Sequence, residues 1–196
     1  MKNIKYPTAF KTYQKPEVSV KNRGETTEKW VNQANQYYLD TQQAIIHKKP
    51  TPVQVVKVDY PKRSAAKISE AYYKTPSTTD YNGLFEGYYV DFDVKETQSL
   101  TSFPLTNIHP HQIEHLKNID THGGLAFLII AFVRLDEHFI LPYEALSYYL
   151  QRAIKGRKSI AIDEIRSTGI PIELKLHPTF DYLPALKTLI SQRKKR

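Results

Sequence analysis

The chain has 196 residues, no Cys, and 28 Lys and Arg against 20 Asp and Glu, which gives a net charge of +8. This length predicts one domain, and the basic charge favours a polyanionic partner such as nucleic acid. The lack of Cys excludes disulfides, thiolate metal sites and a cysteine nucleophile, and it fits the cytoplasm, where we expect the protein to act. The first residues have no apolar segment like that of a secretory signal, and the longest apolar run, 125–133, is too short to cross a bilayer.

The N-terminal half begins with an arm and a helix. Residues 1–22 mix Lys, Tyr, Pro and Thr without periodicity, so we expect a flexible basic arm before a domain of residues 23–196. Helical spacing of apolar residues predicts a helix from about residue 25, and strands follow at 44–47 and 53–58. Residues 59–76 are both basic and aromatic, and a connection of this length is usually either functional or disordered.

Residues 78–97 predict a hairpin with a metal site. From Tyr88 onward apolar residues alternate with Asp91, Asp93 and Lys95, so the charged side chains share one face of a strand. A two-residue turn at 86–87 would place Asp80 opposite Asp93, where like charges repel. A divalent cation between the carboxylates would remove that repulsion, and Mg²⁺ prefers carboxylate oxygens. The alternative interpretation is an ordinary solvated face of a strand.

The C-terminal half alternates helices and strands. The pattern predicts helices at 110–122, 142–153 and 181–192, a fully buried strand at 125–133, a short strand at 138–141 and a basic loop at 155–158. Together with the first half, this order predicts an α/β domain with a mixed sheet and helices on its faces.

Several strings, in order along residues 22–183, resemble the bacterial RecU Holliday-junction resolvases. They are residues 22–24, 46–54, 60–65, 77–83, 95–97, 101–105, 111–115 and 156–160, which read NRG, IHKKPTPVQ, YPKRSA, STTDYNG, KET, TSFPL, HQIEH and GRKSI. The resemblance implies a restriction-endonuclease-like fold with a protruding stalk at about 59–76. It also implies a homodimer that nicks two strands of like polarity in a four-way DNA junction.

The resemblance assigns a role to each residue of the predicted metal site. Asp80 and Asp93, with the carbonyl of Val94, would bind Mg²⁺ (or Mn²⁺), and Lys95 would stand beside the nucleophile. This chain has Asp93-Val94-Lys95 where the family pattern usually has Glu-Ala-Lys. Aspartate is one methylene shorter than glutamate, so we expect the metal to sit differently.

Further site residues follow from the same resemblance. Glu28 matches a glutamate placed near the metal, with a solvated helix charge as the alternative. Gln112 would position water or phosphate, with a helix-surface amide as the alternative. The predicted DNA contacts are Lys48, Lys49, Lys62, Arg63, Lys67, Tyr72, Tyr73, Thr78, Thr79, Arg157 and Lys158. For these the alternatives are a solvated loop for Lys48 and Lys49, packing within the dimer for the two tyrosines, and ordinary strand residues for the two threonines.

Two rival functions compete with the resolvase. His111, Glu114 and His115 fit the H-x-x-E-H pattern of one class of zinc proteases, which needs a third ligand elsewhere. The second rival is a non-cleaving junction-binding or strand-annealing protein that modulates the RecA recombinase, as the resemblance also implies.

Overall fold

The computed structural model describes residues 26–59, 66–74 and 77–194. The predicted arm, the stalk residues Lys62 and Arg63, and the last two residues lie outside this part of the chain. The helices are α1 Thr27–Asp40, α2 Pro110–Thr121, α3 Tyr143–Ala153, α4 Ile162–Thr168 and α5 Leu183–Lys194. The strands are β1 Ile45–Lys48, β2 Val53–Asp59, β3 Lys67–Tyr73, β4 Tyr81–Phe85, β5 Tyr88–Thr97, β6 Ser102–Pro104, β7 Leu125–Phe132, β8 Glu137–Pro142, β9 Ser159–Ala161 and β10 Ile170–Ile172.

Six strands form the central sheet, in the order β1-β4-β5-β7-β8-β10. Strands β5 and β7 are parallel, and the other neighbours are antiparallel, so the sheet is mixed. One hydrophobic core joins the sheet to α1 and α5, and a second core joins its other face to α2, α3 and α4. The predicted α/β fold, a mixed sheet with helices on its faces, is confirmed. None of the helices in the described ranges is long and apolar enough to cross a bilayer.

The hairpin has the predicted register. Tyr81 pairs with Phe92 and Phe85 pairs with Tyr88, so the turn falls at Glu86 and Gly87. Both turn residues have positive φ, 46° and 80°. A two-residue turn of this handedness matches the natural twist of the two strands, and it fixes which residues face each other.

Gly83 is required where β4 passes β1. A Cβ atom added to Gly83 would lie 2.0 Å from the carbonyl oxygen of Ile45 and 2.6 Å from the Cα atom of Ile46. Because both obstacles are backbone atoms, β1 would have to move away from the sheet. We expect Gly83→Ala to lower the free energy of unfolding by about 2–3 kcal/mol, measured by urea denaturation.

The control for this substitution is Gly87→Asn in the hairpin turn. A Cβ atom at Gly87 meets nothing within 4 Å, and asparagine tolerates positive φ, so this variant should lose less than about 1 kcal/mol. Equal losses in the two variants would contradict the close approach of β1 and β4.

Strands β2 and β3 form a separate two-stranded sheet outside the central one. Every residue of β3 is exposed, and so is nearly every residue of β2. This ribbon contains the described part of the segment predicted as a stalk, and it extends that segment backward to Val53. The assignment of these residues as a stalk stays a prediction.

Candidate active site

Asp93 and Lys95 lie on the same face of β5, as the alternation predicts. The Lys95 ammonium nitrogen lies 3.3 Å from Oδ1 of Asp93. The Asp93 side chain is buried under α2, so the alternative of an ordinary solvated face is wrong. Strand β5 is central in the sheet, and α2 covers the face that carries its charges.

Gln112 holds the other oxygen of Asp93. Its side-chain nitrogen donates a hydrogen bond to Oδ2 of Asp93, and its side-chain oxygen accepts from the backbone N–H of His109 at 3.1 Å. Gln112 is only 5% exposed, so the alternative of a helix-surface amide is wrong. Both ends of this amide serve to fix the carboxylate and the start of α2.

Asp80 stands directly before β4, one residue beyond the pair formed by Tyr81 and Phe92. The backbone N–H of Lys49 donates to the Asp80 carbonyl oxygen at 2.7 Å. The Asp80 residue is exposed, while its charge is close enough to Asp93 to contribute to the electrostatics there.

Burial is the main reason that the pKa of Asp93 is raised above its ordinary value. The charge of Lys95 acts in the opposite direction, and the charge of Asp80 raises the pKa further. The site therefore holds a carboxylate whose ionised form is costly without an additional positive charge.

Glu28 lies on α1, which packs on the face of the sheet opposite to α2. Its carboxylate forms an ion pair with the Lys48 ammonium, and both side chains are more than two-fifths exposed. The hydroxyl of Tyr81 donates to Asn32 at 2.8 Å. The pKa of Tyr81 is raised by burial and by the charges of Glu28, Asp80 and Asp93, so Tyr81 lies between Glu28 and the two aspartates. The role of Glu28 near a metal stays a prediction.

The residues predicted to contact DNA have diverse surroundings. Tyr73 on β3 is 83% exposed, and Tyr72 is 61% exposed with its hydroxyl donating to Glu70 at 2.7 Å. Lys67, Arg157 and Lys158 are exposed, and the guanidinium of Arg157 donates to the Ser159 hydroxyl at 3.0 Å. Thr78 is half-buried and donates to the Thr79 carbonyl oxygen.

Two of these residues face inward, toward an aspartate that sequence reasoning did not single out. Lys49 donates to Oδ2 of Asp91 at 2.9 Å, and the Thr79 hydroxyl donates to Oδ1. The Lys49 side chain is 19% exposed and that of Asp91 is fully buried, so a solvated loop does not describe Lys49. The sequence did contain a signal for the burial of Asp91. The continuous apolar run of β7 indicates a sheet covered on both faces, and such a sheet would also bury Asp91 on the neighbouring strand β5.

The H-x-x-E-H pattern does not form a zinc site. His115 is bound to Oδ2 of Asp91 at 3.1 Å, Glu114 is exposed, and His111 stacks on His109. Within residues 26–59, 66–74 and 77–194, no three His, Cys, Asp or Glu side chains are grouped so that they could hold a metal ion. The site predicted on Asp80 and Asp93 differs, since it uses two carboxylates and a backbone carbonyl.

Comparison with known proteins gives a consistent result. Relatives named "Holliday junction resolvase RecU" are 54% identical in Staphylococcus epidermidis, over 86% of this chain and 81% of the relative. The relative of the same name in Limosilactobacillus fermentum is 51% identical, over 88% and 82%, and that in Staphylococcus aureus is 52% identical, over 86% and 81%.

Among solved structures, the Holliday junction resolvase Hjc of Archaeoglobus fulgidus matches 72% of this chain and 94% of its own, with a TM-score of 0.40 and 11% identity. A likeness that distant identifies neither family nor activity. The model of the family RecU, described as Recombination protein U, matches residues 22–188. This match covers most of the chain and includes every described residue of the site on β5 and α2, so the chain belongs to the Recombination protein U family.

Proposed function

We propose that this protein is a metal-dependent endonuclease that resolves four-way DNA junctions by paired, symmetric nicks. The observation that carries the proposal is the pairing of buried Asp93 with Lys95 on one face of β5, beside Asp80. Family membership and the names of relatives that are 51% to 54% identical support the same activity.

The residues present fit a divalent cation. Oδ1 of Asp93 is buried and forms an ion pair with the Lys95 ammonium at 3.3 Å, and no other side chain among the described residues donates to it. A buried carboxylate oxygen with a free lone pair is the kind of ligand that Mg²⁺ and Mn²⁺ accept. Asp80, Asp93 and the Val94 carbonyl would hold the ion. Nicking assays in Mg²⁺ and in Mn²⁺ would show which of the two ions supports cleavage.

Lys95, Gln112 and Asp93 have different roles in the proposed hydrolysis. A bound divalent ion supplies a water of lowered pKa and offsets phosphate charge. Lys95 places a positive charge where negative charge grows on the phosphate during displacement. Gln112 fixes the orientation of Asp93 through its hydrogen bond to Oδ2, which keeps Oδ1 directed toward the Lys95 ammonium.

Exposed residues outside the site would bind the junction. Tyr72 and Tyr73 on the β2–β3 ribbon offer ring faces for unpaired bases, and Lys67 lies on the same strand. Arg157 and Lys158 form a basic loop for backbone phosphates. A homodimer would present two such sites with two-fold symmetry, which matches the symmetry of a four-way junction.

The deciding experiment is a nicking assay on a mobile four-way junction with each strand labelled in turn, in Mg²⁺ and then in Mn²⁺. We expect two symmetric nicks in strands of like polarity, none in chelator, and none in linear duplex of the same sequence. Retardation of the junction without nicks would reject the nuclease and leave the non-cleaving binder, whose effect on RecA filaments would then be measured.

A further inference from the structure

A second buried aspartate, Asp91, lies two residues before Asp93 on the same face of β5. Asp91 has no exposed surface, and its two oxygens have four polar partners. These partners are Lys49 at 2.9 Å, Tyr89 at 3.0 Å, His115 at 3.1 Å and the hydroxyl of Thr79. Because a buried charge is costly, so complete a set of partners indicates a fixed carboxylate.

Two partners of Asp91, Lys49 and Thr79, connect it to Asp80. Thr79 directly precedes Asp80, and the Lys49 ammonium also donates to the Thr79 hydroxyl at 3.1 Å. The backbone N–H of Lys49 donates to the Asp80 carbonyl at 2.7 Å. The backbone that carries the exposed Asp80 carboxylate is therefore held on both sides by residues bound to Asp91.

A third partner of Asp91, His115, connects it to Asp93 through α2. His115 and Gln112 are three residues apart on α2, so they lie on the same face of this helix. His115 contacts Asp91 and Gln112 donates to Asp93, so two polar contacts join α2 to the charged face of β5. The position of α2 sets the orientation of the Asp93 carboxylate.

We propose that Asp91 is a positioning residue that holds Asp80 and Asp93 at the separation needed for one divalent ion. This inference rests on the proposed function, because it assigns Asp91 a role in the same site. Asp91 reaches Asp80 through Lys49 and Thr79, and it reaches Asp93 through His115 and Gln112. Residues that orient the ligands of a metal typically change its affinity by about 10–100-fold when they are replaced.

The test is Asp91→Asn, with Mn²⁺ as the probe ion counted by electron paramagnetic resonance in the absence of DNA. Asparagine keeps the size of the side chain and turns an N–H₂ group toward the donors. We expect Mn²⁺ binding to weaken about 10–100-fold and junction nicking to slow by a similar factor. Junction binding in chelator should stay within about threefold of the wild type. Asp163→Asn, an exposed carboxylate paired with Arg166, is the matched control with unchanged values.

A second pair of variants keeps the test decisive if Asp91→Asn fails to fold. Thr79→Val removes the partner that precedes Asp80, while Tyr89→Phe removes a partner that leads to neither acid. We expect Thr79→Val to weaken Mn²⁺ binding at least fivefold more than Tyr89→Phe does. Equal effects of these two variants, or Mn²⁺ binding within twofold of wild type in a folded Asp91→Asn protein, would overturn the positioning role. Failure of the wild type to nick junctions would instead reject the proposed function, and the ion titration would still report on Asp91.

Discussion

Lys95→Ala should reduce junction nicking at least about a hundredfold while junction binding in chelator stays within about threefold of the wild type. The Lys95 side chain is 15% exposed and pairs with a buried carboxylate rather than projecting into solvent. Its charge therefore serves the interior of the site, where loss of a stabilising cation affects the transition state more than DNA binding. The measurements are single-turnover nicking rates and gel retardation of the same junction.

The matched control for this variant is Lys117→Ala. Lys117 is an exposed lysine on α2, so it tests the loss of one positive charge near the site without the loss of the ion pair. Its nicking rate should match the wild type. Wild-type nicking by Lys95→Ala would remove this lysine from the chemistry.

Asp93→Asn should abolish nicking and at the same time stabilise the fold at neutral pH in chelator. Burial raises the pKa of Asp93 more than Lys95 lowers it. A carboxyl group with a folded-state pKa above its unfolded value contributes stability fully below the unfolded value of about 3.9, and that contribution is lost as pH rises through the folded value. At pH 7 the ionised group therefore costs free energy, and the neutral amide removes that cost.

We expect a gain of about 1 kcal/mol in the free energy of unfolding for Asp93→Asn at pH 7, measured by urea denaturation in chelator. The gain should shrink as pH falls toward 4, because the wild-type carboxyl group then takes up a proton. Asp163→Asn, at a side chain that is 84% exposed, should give no such gain. If a folded Asp93→Asn protein were less stable than the wild type at pH 7, this would contradict the inference that the ionised Asp93 carboxylate destabilises the fold.

The stability cost of Asp93 also explains the polar surroundings of the site. Gln112 satisfies one oxygen of the carboxylate, and Oδ1 keeps an open lone pair. Apolar residues in place of both Asp93 and Lys95 would suit the fold alone at least as well. The arrangement is thus typical of a functional site, where a buried group is retained for its chemistry.

Short elements were beyond the reach of sequence patterns. Strands β6, β9 and β10 have three residues each, and α4 has seven, so none is long enough to show a period. The segment predicted at 59–76 gave no sign that its second half pairs with β2. That pairing joins residues 8 to 20 positions apart, and no local pattern in the sequence records the partner of a strand.

The sequence by itself determined the hairpin, its turn at Glu86 and Gly87, and the shared face of Asp93 and Lys95. These features are local, because the two-residue period of a strand and the geometry of a tight turn depend on adjacent residues. Only the tertiary structure decided that α2 covers this face, that Gln112 and His115 bind two neighbouring carboxylates, and that Lys49 turns inward to Asp91. Those contacts join residues 19 to 42 positions apart, and burial at that distance depends on how whole helices pack against the sheet.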